Sequence, residues 1–249
     1  VESQNDVAVM YLDGKGVEKN IPKAVEWFRK AAEQGSPVAQ HNLAIRYMLG
    51  QGVPKDMEQA LSWLRKSAEQ GYAGALYRLG SMYEEGVGVP ADPAEALKFY
   101  KKAADQGHVE SMNEYGRMFY LGKGVPENKP EAFKWYIKAA EKGNMYSQFN
   151  VAYMLLAGEG VNENLPDAIH WFTKSAEQGF EKAQYYLGLI YYRGIGVAAN
   201  VPEAEKWLKL AARQNNINAI LILARIYEKG EGGVQQNEAL AFQLYVILV

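Results

Sequence analysis

A glycine recurs along this chain at a fixed spacing of 36 residues. The positions are Gly16, Gly52, Gly88, Gly124, Gly160, Gly196 and Gly232. A second column of the same period carries a large aromatic ring, at Trp27, Trp63, Phe99, Trp135, Trp171 and Trp207. A chain of 249 residues holds about seven such units. Self-similarity at one long period is the signature of repeat proteins, in which each unit stacks on its neighbours.

Each unit is predicted to contain two helices, which we name helix A and helix B. In the second copy, Ala39, Leu43, Ala44 and Tyr47 have the spacing of one helical face, which places helix A over roughly residues 38–49. The Ala44 column contains only alanine or glycine, so two helix backbones can approach closely there. Helix A is expected to end at a glycine such as Gly50, because glycine adopts positive φ without strain.

Helix B begins at an asparagine or aspartate whose side chain caps the free N–H groups. This column is Asn20, Asp56, Asp92, Asn128, Asn164 and Asn200. The two rings or apolar side chains that follow are expected to fill the core, as in the pairs Trp27 and Phe28, Trp63 and Leu64, and Phe99 and Tyr100. Helix B ends at Gly35, Gly71, Gly107, Gly143, Gly179 and Asn215. A further column is predicted to form the core between repeats, at Met10, Met82, Met118, Met154, Ile190 and Ile226.

A single helical hairpin cannot bury its apolar face alone, so it must stack on its neighbours. The chain is therefore predicted to be all-α, a right-handed α-solenoid of about seven 36-residue helix-turn-helix repeats with a concave and a convex face. We expect one repeat domain over residues 1–249, with units at about 1–35, 36–71, 72–107, 108–143, 144–179, 180–215 and 216–249.

The chain closes on the apolar residues Val246, Ile247, Leu248 and Val249, where a solenoid usually carries a polar cap. We therefore expect this chain to be a fragment of a longer array. The alternative is that the apolar end packs on a partner or on a second copy of the chain.

The repeat unit resembles the Sel1-like repeat, a subfamily of the tetratricopeptide-like repeats. The resemblance lies in the pattern A-x-x-x-L-(G/A)-x-x-Y-x-x-G-x-G-V, followed by the asparagine or aspartate, the tryptophan and the ending K-A-A-E-Q-G. It implies a non-enzymatic adaptor or scaffold that recruits protein partners, and the K-A-A-E-Q-G endings are most similar to bacterial members. One cysteine-rich branch of the family has been linked to β-lactam hydrolysis, but this chain contains no cysteine, which disfavours that activity here.

Composition excludes several other classes. Lys and Arg number 27 and Asp and Glu 29, so the formal charge of −2 argues against a nucleic-acid partner. No apolar run approaches the roughly 20 residues that span a bilayer, so no membrane insertion is expected. The compartment stays open between the cytoplasm and a bacterial periplasmic or secreted location, because a targeting segment, if one exists, is not part of this chain.

Catalytic and metal-binding patterns are not found in the sequence. The three histidines, His41, His108 and His170, have no spacing typical of metal ligands, so neither a metal nor a cofactor is expected. The recurring glycines match turns that end helices rather than phosphate-binding loops. Adjacent carboxylates such as Glu84 and Glu85 are interpreted as solvated surface. We therefore predict that the protein is not an enzyme.

The candidate binding surface is the concave face, which helix A is expected to line. Aromatic rings, amides and arginines stand there at positions outside the core columns, and such side chains are frequent in interface hot spots. The candidates are Tyr77, Arg78, Asn113, Arg117, Tyr120, Phe149, Asn150, Tyr153, Tyr185 and Tyr192. The arginines offer charge-assisted bonds to carboxylates and the amides can pair with a peptide backbone.

These residues favour a scaffold that binds an extended or helical protein segment along the concave face. The alternative is a protein that binds a glycan or cell-wall fragment by stacking it on the aromatic side chains. A small-ligand site of that kind needs convergent polar groups in a closed pocket. A further interpretation of the same rings is that some of them only pack between adjacent repeats.

Overall fold

The computed structural model describes residues 2–248, apart from the side chain of Glu2. Over this part of the chain it contains fourteen α-helices, one short 3-10 turn at Glu231–Gly233 and no strand. The helices are α1 Glu2–Asp13, α2 Ile21–Glu33, α3 Pro37–Leu49, α4 Met57–Glu69, α5 Ala73–Glu85, α6 Pro93–Asp105, α7 Val109–Leu121, α8 Lys129–Glu141, α9 Met145–Ala157, α10 Leu165–Glu177, α11 Glu181–Arg193, α12 Val201–Arg213, α13 Ile217–Lys229 and α14 Glu238–Val246. The odd-numbered helices are the predicted helices A, and the all-α repeat architecture is confirmed.

The chain forms two compact units, residues 1–127 and residues 128–249. The first unit contains α1 to α7 and the second contains α8 to α14. Inside each unit every helix packs on the helices before and after it, so helix A pairs with helix B of its own repeat and with helix B of the preceding one. This is the packing by which repeats bury faces that a single hairpin leaves exposed.

The predicted helix ends are confirmed. At the start of α2, the Asn20 side chain accepts a hydrogen bond of 3.0 Å from the backbone N–H of Lys23, and equivalent caps begin the later helices B. Helix α3 ends at Gly50, whose φ is +65°. Asn215, with φ +66°, is the non-glycine residue in this left-handed conformation among the described residues. Asparagine tolerates that region best after glycine, which explains its place in a glycine column.

The column of small residues brings helix B directly onto the backbone of helix A. A Cβ atom added at Gly80 would lie 2.6 Å from Cε1 of Tyr100, and one added at Gly188 would lie 2.7 Å from Cγ of Leu208. Contacts this short are not tolerated in a packed interior. A glycine at these two positions therefore leaves room for the facing side chain of helix B.

The aromatic pair of helix B divides its roles in most repeats, which corrects the prediction that both members fill the core. The second member is buried in each pair, as at Phe28, Leu64 and Tyr100. Trp135 and Trp207 are first members that are buried as well. In the other pairs the first member, such as Trp27, is only half-buried. The ammonium group of a lysine three residues later covers its outer face, as Lys30 does at 4.5 Å from the ring centroid of Trp27. Such cation–π contacts let a large ring stay at the surface without leaving its face bare.

Buried glutamines join successive repeats, a feature that the sequence patterns did not indicate. Nε2 of Gln148 in α9 donates a hydrogen bond of 3.1 Å to the carbonyl of Ala140 in α8. Its Oε1 accepts a hydrogen bond of 2.7 Å from Gln178 at the end of α10. The same arrangement recurs around Gln40 and Gln184. It adds a second hydrogen bond to carbonyl groups at the ends of helices B, which also accept from the N–H of the glycine that follows the helix, as Ala140 does from Gly143.

The predicted core column between repeats is buried at Met82, Met118, Met154, Ile190 and Ile226. Its first member, Met10, is instead 40% exposed, because no helix B precedes α1 among the described residues. At the other end, Phe242 of α14 is 70% exposed, and Val246 and Ile247 are exposed as well. The structure describes residues up to Leu248, so Val249, the last residue of the predicted apolar end, lies outside the described residues.

Candidate functional site

The candidate residues lie on one side of the helices A, which we call the helix-A face. In the first unit α1 and α3 are neighbours on this face, because Asn42 donates a hydrogen bond of 3.2 Å to Oδ1 of Asn5. An ion pair between Arg117 and Glu84 joins α7 to α5. In the second unit the rings of Phe149 in α9 and Tyr186 in α11 lie 5.6 Å apart between centroids. Each unit therefore has its own continuous helix-A face.

In the first unit Tyr77 packs between repeats. Its ring centroid lies 5.8 Å from that of Tyr100 in α6 and 5.3 Å from that of His108, which caps α7. Burial raises the pKa of the Tyr77 hydroxyl. The ring is half-buried, so part of it faces away from these neighbours.

Asn113 and Arg117 pair with other groups of the first unit. Asn113 is buried, and its amide donates a hydrogen bond of 3.0 Å to Oε1 of Glu114. Nε of Arg117 donates to Oε2 of the same carboxylate at 2.6 Å, and its Nη2 donates to Glu84. Burial alone would lower the pKa of Arg117, but the two carboxylates raise it above its ordinary value. Arg117 therefore already has two counter-charges.

Glu84 corrects the prediction that the adjacent carboxylates are solvated surface. Its side chain is only 7% exposed, and it accepts hydrogen bonds from Lys123 at 2.8 Å, from the Tyr100 hydroxyl at 3.0 Å and from Arg117. Although burial by itself raises the pKa of Glu84, these donors hold it below its ordinary value. Glu85 is exposed as predicted, because successive residues of a helix point about 100° apart and only Glu84 faces α7.

Arg78 differs from Arg117 although both were predicted for the same reason. Arg78 is half-buried, and its Nε is shielded from water and has no hydrogen-bond partner within residues 2–248. No carboxylate of that part of the chain forms an ion pair with it. Nδ1 of His41, on the neighbouring helix α3, is likewise buried without a partner. His41 occupies the same position of the repeat as the candidates Tyr77, Asn113, Phe149 and Tyr185, but it was not one of the predicted binding residues.

In the second unit four rings form a group that we call the aromatic cluster: Phe149, Tyr153, Tyr185 and Tyr186. Tyr186 stacks on the buried ring of Phe172 in α10, with centroids 5.4 Å apart and an interplanar angle of 11°. Tyr153 and Tyr185 each pack on Tyr186, at 5.9 Å and 5.5 Å. Tyr186 occupies the same position of the repeat as the candidates Arg78 and Asn150, but only its contacts identify it as the centre of the cluster.

The three remaining candidates are half-buried. Tyr192 in α11 donates a hydrogen bond of 2.8 Å to Glu231 in the 3-10 turn before α14. Tyr120 and Asn150 each make interactions within the chain. The interpretation that some candidates pack between repeats thus fits Tyr77, Arg117 and Tyr192, each of which contacts a residue of a neighbouring repeat.

Residues 2–248 contain no group of three histidine or carboxylate side chains close enough to hold a metal ion. Over the same stretch, none of the helices combines the length and the apolar character that crossing a bilayer requires.

Comparison with known proteins identifies the repeat. A family model described as Sel1 repeat matches residues 1–36, 37–72, 73–108, 109–144, 146–180, 181–216 and 217–246. Among solved structures, the chain resembles a protective antigen of uropathogenic Escherichia coli strains that displays an SLR fold, with 36% identity, a TM-score of 0.91 and 98% of this chain covered. This chain spans 52% of that antigen.

A second similar structure is a Sel1 repeat protein from Oxalobacter formigenes, with 31% identity and a TM-score of 0.83, covering 99% of this chain and 97% of that protein. An immunity protein from Pseudomonas aeruginosa shares the fold, with 24% identity and a TM-score of 0.56 over 85% of this chain and 80% of its own.

Proposed function

Because the chain belongs to the Sel1 repeat family, whose members generally act as protein-interaction scaffolds rather than enzymes, we propose that it is a scaffold that binds a segment of a partner protein on its helix-A face. The aromatic cluster of the second unit is the anchor of this interaction, and no catalytic step is part of the function.

The observation that carries this proposal is the partial burial of Tyr153 and Tyr185 together with their hydroxyl groups, which are unpaired over residues 2–248. Both rings are half-buried, and within the described residues neither hydroxyl makes a hydrogen bond. A tyrosine held by ring packing at low entropy cost, with its hydroxyl available, combines an apolar contact with a polar one. Tyrosine is for this reason enriched among the residues that dominate binding energy at protein interfaces.

The rings of the aromatic cluster are already packed in place, which favours binding of a partner. Tyr186 is locked by stacking on Phe172, and it supports Tyr153 on one side and Tyr185 on the other. A site whose rings are already ordered loses little side-chain entropy when a partner binds. A face built from neighbouring helices suits an extended or helical segment, which lies across several helices at once.

The proposal is tested by selecting peptides from a random library displayed on phage against the whole chain, then measuring their affinity for variants by fluorescence anisotropy. The test variant is Tyr153→Ala with Tyr185→Ala, which leaves Tyr186 on Phe172. We expect it to lower affinity by about 100-fold, since two interface tyrosines contribute on the order of 3 kcal/mol together.

The matched control is Phe242→Ala with Ile247→Ala, which truncates two exposed apolar side chains of α14 in the same unit. We expect the control to bind as the original chain does. Loss of binding in the control alone would place the interaction at the apolar end and contradict the proposal. Selection of no peptide, together with a thermal shift caused by soluble cell-wall fragments, would favour the glycan alternative instead.

A further inference from the structure

We propose that Arg78 is a subsite for a carboxylate, so that the segment bound by the helix-A face of the first unit carries an aspartate or glutamate side chain at this point. The inference rests on the proposed function and names the chemistry of the partner.

Arg78 has no ion-pair partner within the described chain. Two carboxylates of the helix-A face of this unit are committed to other groups: Glu84 to Arg117 and Lys123, and Glu114 to Arg117 and Asn113. Arg117 stands one repeat later on the same face and has two carboxylate partners. The chain thus neutralises one of the two predicted arginines and not the other.

Arg78 is partly removed from water. Its Nε is shielded from solvent without an acceptor, so the guanidinium has lost part of its hydration with no compensating hydrogen bond. A charge in such surroundings attracts a counter-ion more strongly than a fully hydrated one does. The terminal nitrogens of a guanidinium form a planar pair that matches the two oxygens of a carboxylate.

A histidine of the preceding helix A lies near enough to Arg78 to be influenced by its charge. His41 on α3 has a buried Nδ1 without a partner, and its ring lies edge-on to Tyr72 with centroids 5.3 Å apart. Burial lowers the pKa of His41; the charges of Arg78 and His108 lower it further, while Asn42 opposes the shift. A neutral imidazole adds no second positive charge beside Arg78, so the subsite has a single cation.

These groups favour an acidic side chain over other anions. A single arginine flanked by Tyr77 and a neutral histidine offers one positive charge, whereas phosphate groups are usually bound by several cations or helix N-termini. The formal charge of −2 gives the chain no basic surplus for a polyanion.

The test uses the whole chain and the displayed peptide library, with selected peptides then synthesised with amidated C termini so that no terminal carboxylate is present. For each peptide, the acidic residue at the position shared by the selected sequences is changed to its amide. We expect the original chain to lose about tenfold in affinity for the amide peptide. We expect Arg78→Gln to bind the acidic and amide peptides within about twofold of each other.

Two further variants keep the result interpretable. Arg65→Gln alters an arginine of α4 that donates to the Tyr83 hydroxyl, and it should preserve the tenfold preference of the original chain. Arg78→Lys keeps the charge but not the planar pair, and it should show an intermediate preference. Circular dichroism confirms that each variant is helical.

If Arg78→Gln kept the full preference for the acidic peptide, the subsite would be wrong while the proposed scaffold function would stand. Selected peptides without a shared acidic residue, or peptides that bind only with a free C terminus, would also overturn it. If the original chain selected no peptide at all, the proposed function and this subsite would fail together.

Discussion

Arg117 of α7 forms an ion pair with Glu84 of α5, a residue 33 positions earlier whose side chain is 7% exposed. The pair crosses from one helix A to the next and does not involve the helix B between them. Lys123 and the Tyr100 hydroxyl also donate hydrogen bonds to the same carboxylate. A single acidic side chain therefore links three consecutive helices of the first unit and the loop that follows α7.

Replacing Glu84 by glutamine should destabilise the chain strongly. Arg117 and Lys123 would keep their positions but lose the negative charge that they share. Because the carboxylate is largely buried while the two cations stay partly exposed, this loss should lower the free energy of unfolding by about 2–3 kcal/mol. The free energy of unfolding is measured by urea denaturation. Glu85→Gln on the same helix is the control and should stay within about 0.5 kcal/mol of the original. Equal effects of both changes would contradict the central role of Glu84.

The contribution of Glu84 should also disappear in acid. Its pKa in the folded chain is held below the ordinary value of 4.5, so the stabilisation is complete above that value and is lost as the pH falls through the folded pKa. The difference in unfolding free energy between the original chain and Glu84→Gln should therefore be largest at neutral pH and should shrink as the pH falls below 4.5. A difference that did not change with pH would show that the carboxylate charge is not responsible.

The buried glutamines predict a second asymmetry. Gln148→Leu removes both hydrogen bonds of this buried amide, although the Ala140 carbonyl keeps the one from the Gly143 N–H, so the cost should be about 2 kcal/mol. Gln178→Leu removes one of the two hydrogen bonds at an exposed position, where water can replace the lost donor to Gln148, so its cost should be about 1 kcal/mol or less. Thermal unfolding of the two variants compares them directly. A larger loss of stability in Gln178→Leu would contradict this ranking.

Arg78 should be a residue that lowers stability in the absence of a partner. Arg78→Leu removes a half-desolvated charge with an unpartnered Nε, and we expect the free energy of unfolding to rise by about 1 kcal/mol. Arg65→Leu loses a hydrogen bond to Tyr83 and should lower the free energy of unfolding by about 0.5–1 kcal/mol. Urea denaturation measures both variants. A marked fall in the stability of Arg78→Leu would indicate that the arginine has a structural role.

The sequence by itself determined the period, the helix ends and the class of the fold. Caps such as Asn20 and turns such as Gly50 act on backbone groups within a few residues, so their effect can be inferred from local spacing alone. The same holds for the small-residue column, whose alanines and glycines recur because each copy of helix B approaches the backbone of helix A in the same way.

Only the tertiary structure decided which surface groups are free. Arg78 and Arg117 fulfilled the same sequence criterion, yet one has two carboxylate partners and the other has none. Likewise Glu84 and Glu85 are adjacent in the chain but differ in burial, and Tyr186 became the centre of the aromatic cluster through Phe172. These differences depend on contacts between side chains of separate helices. The backbone has the same geometry in each repeat, but the side chains at equivalent positions differ, so their contacts differ as well.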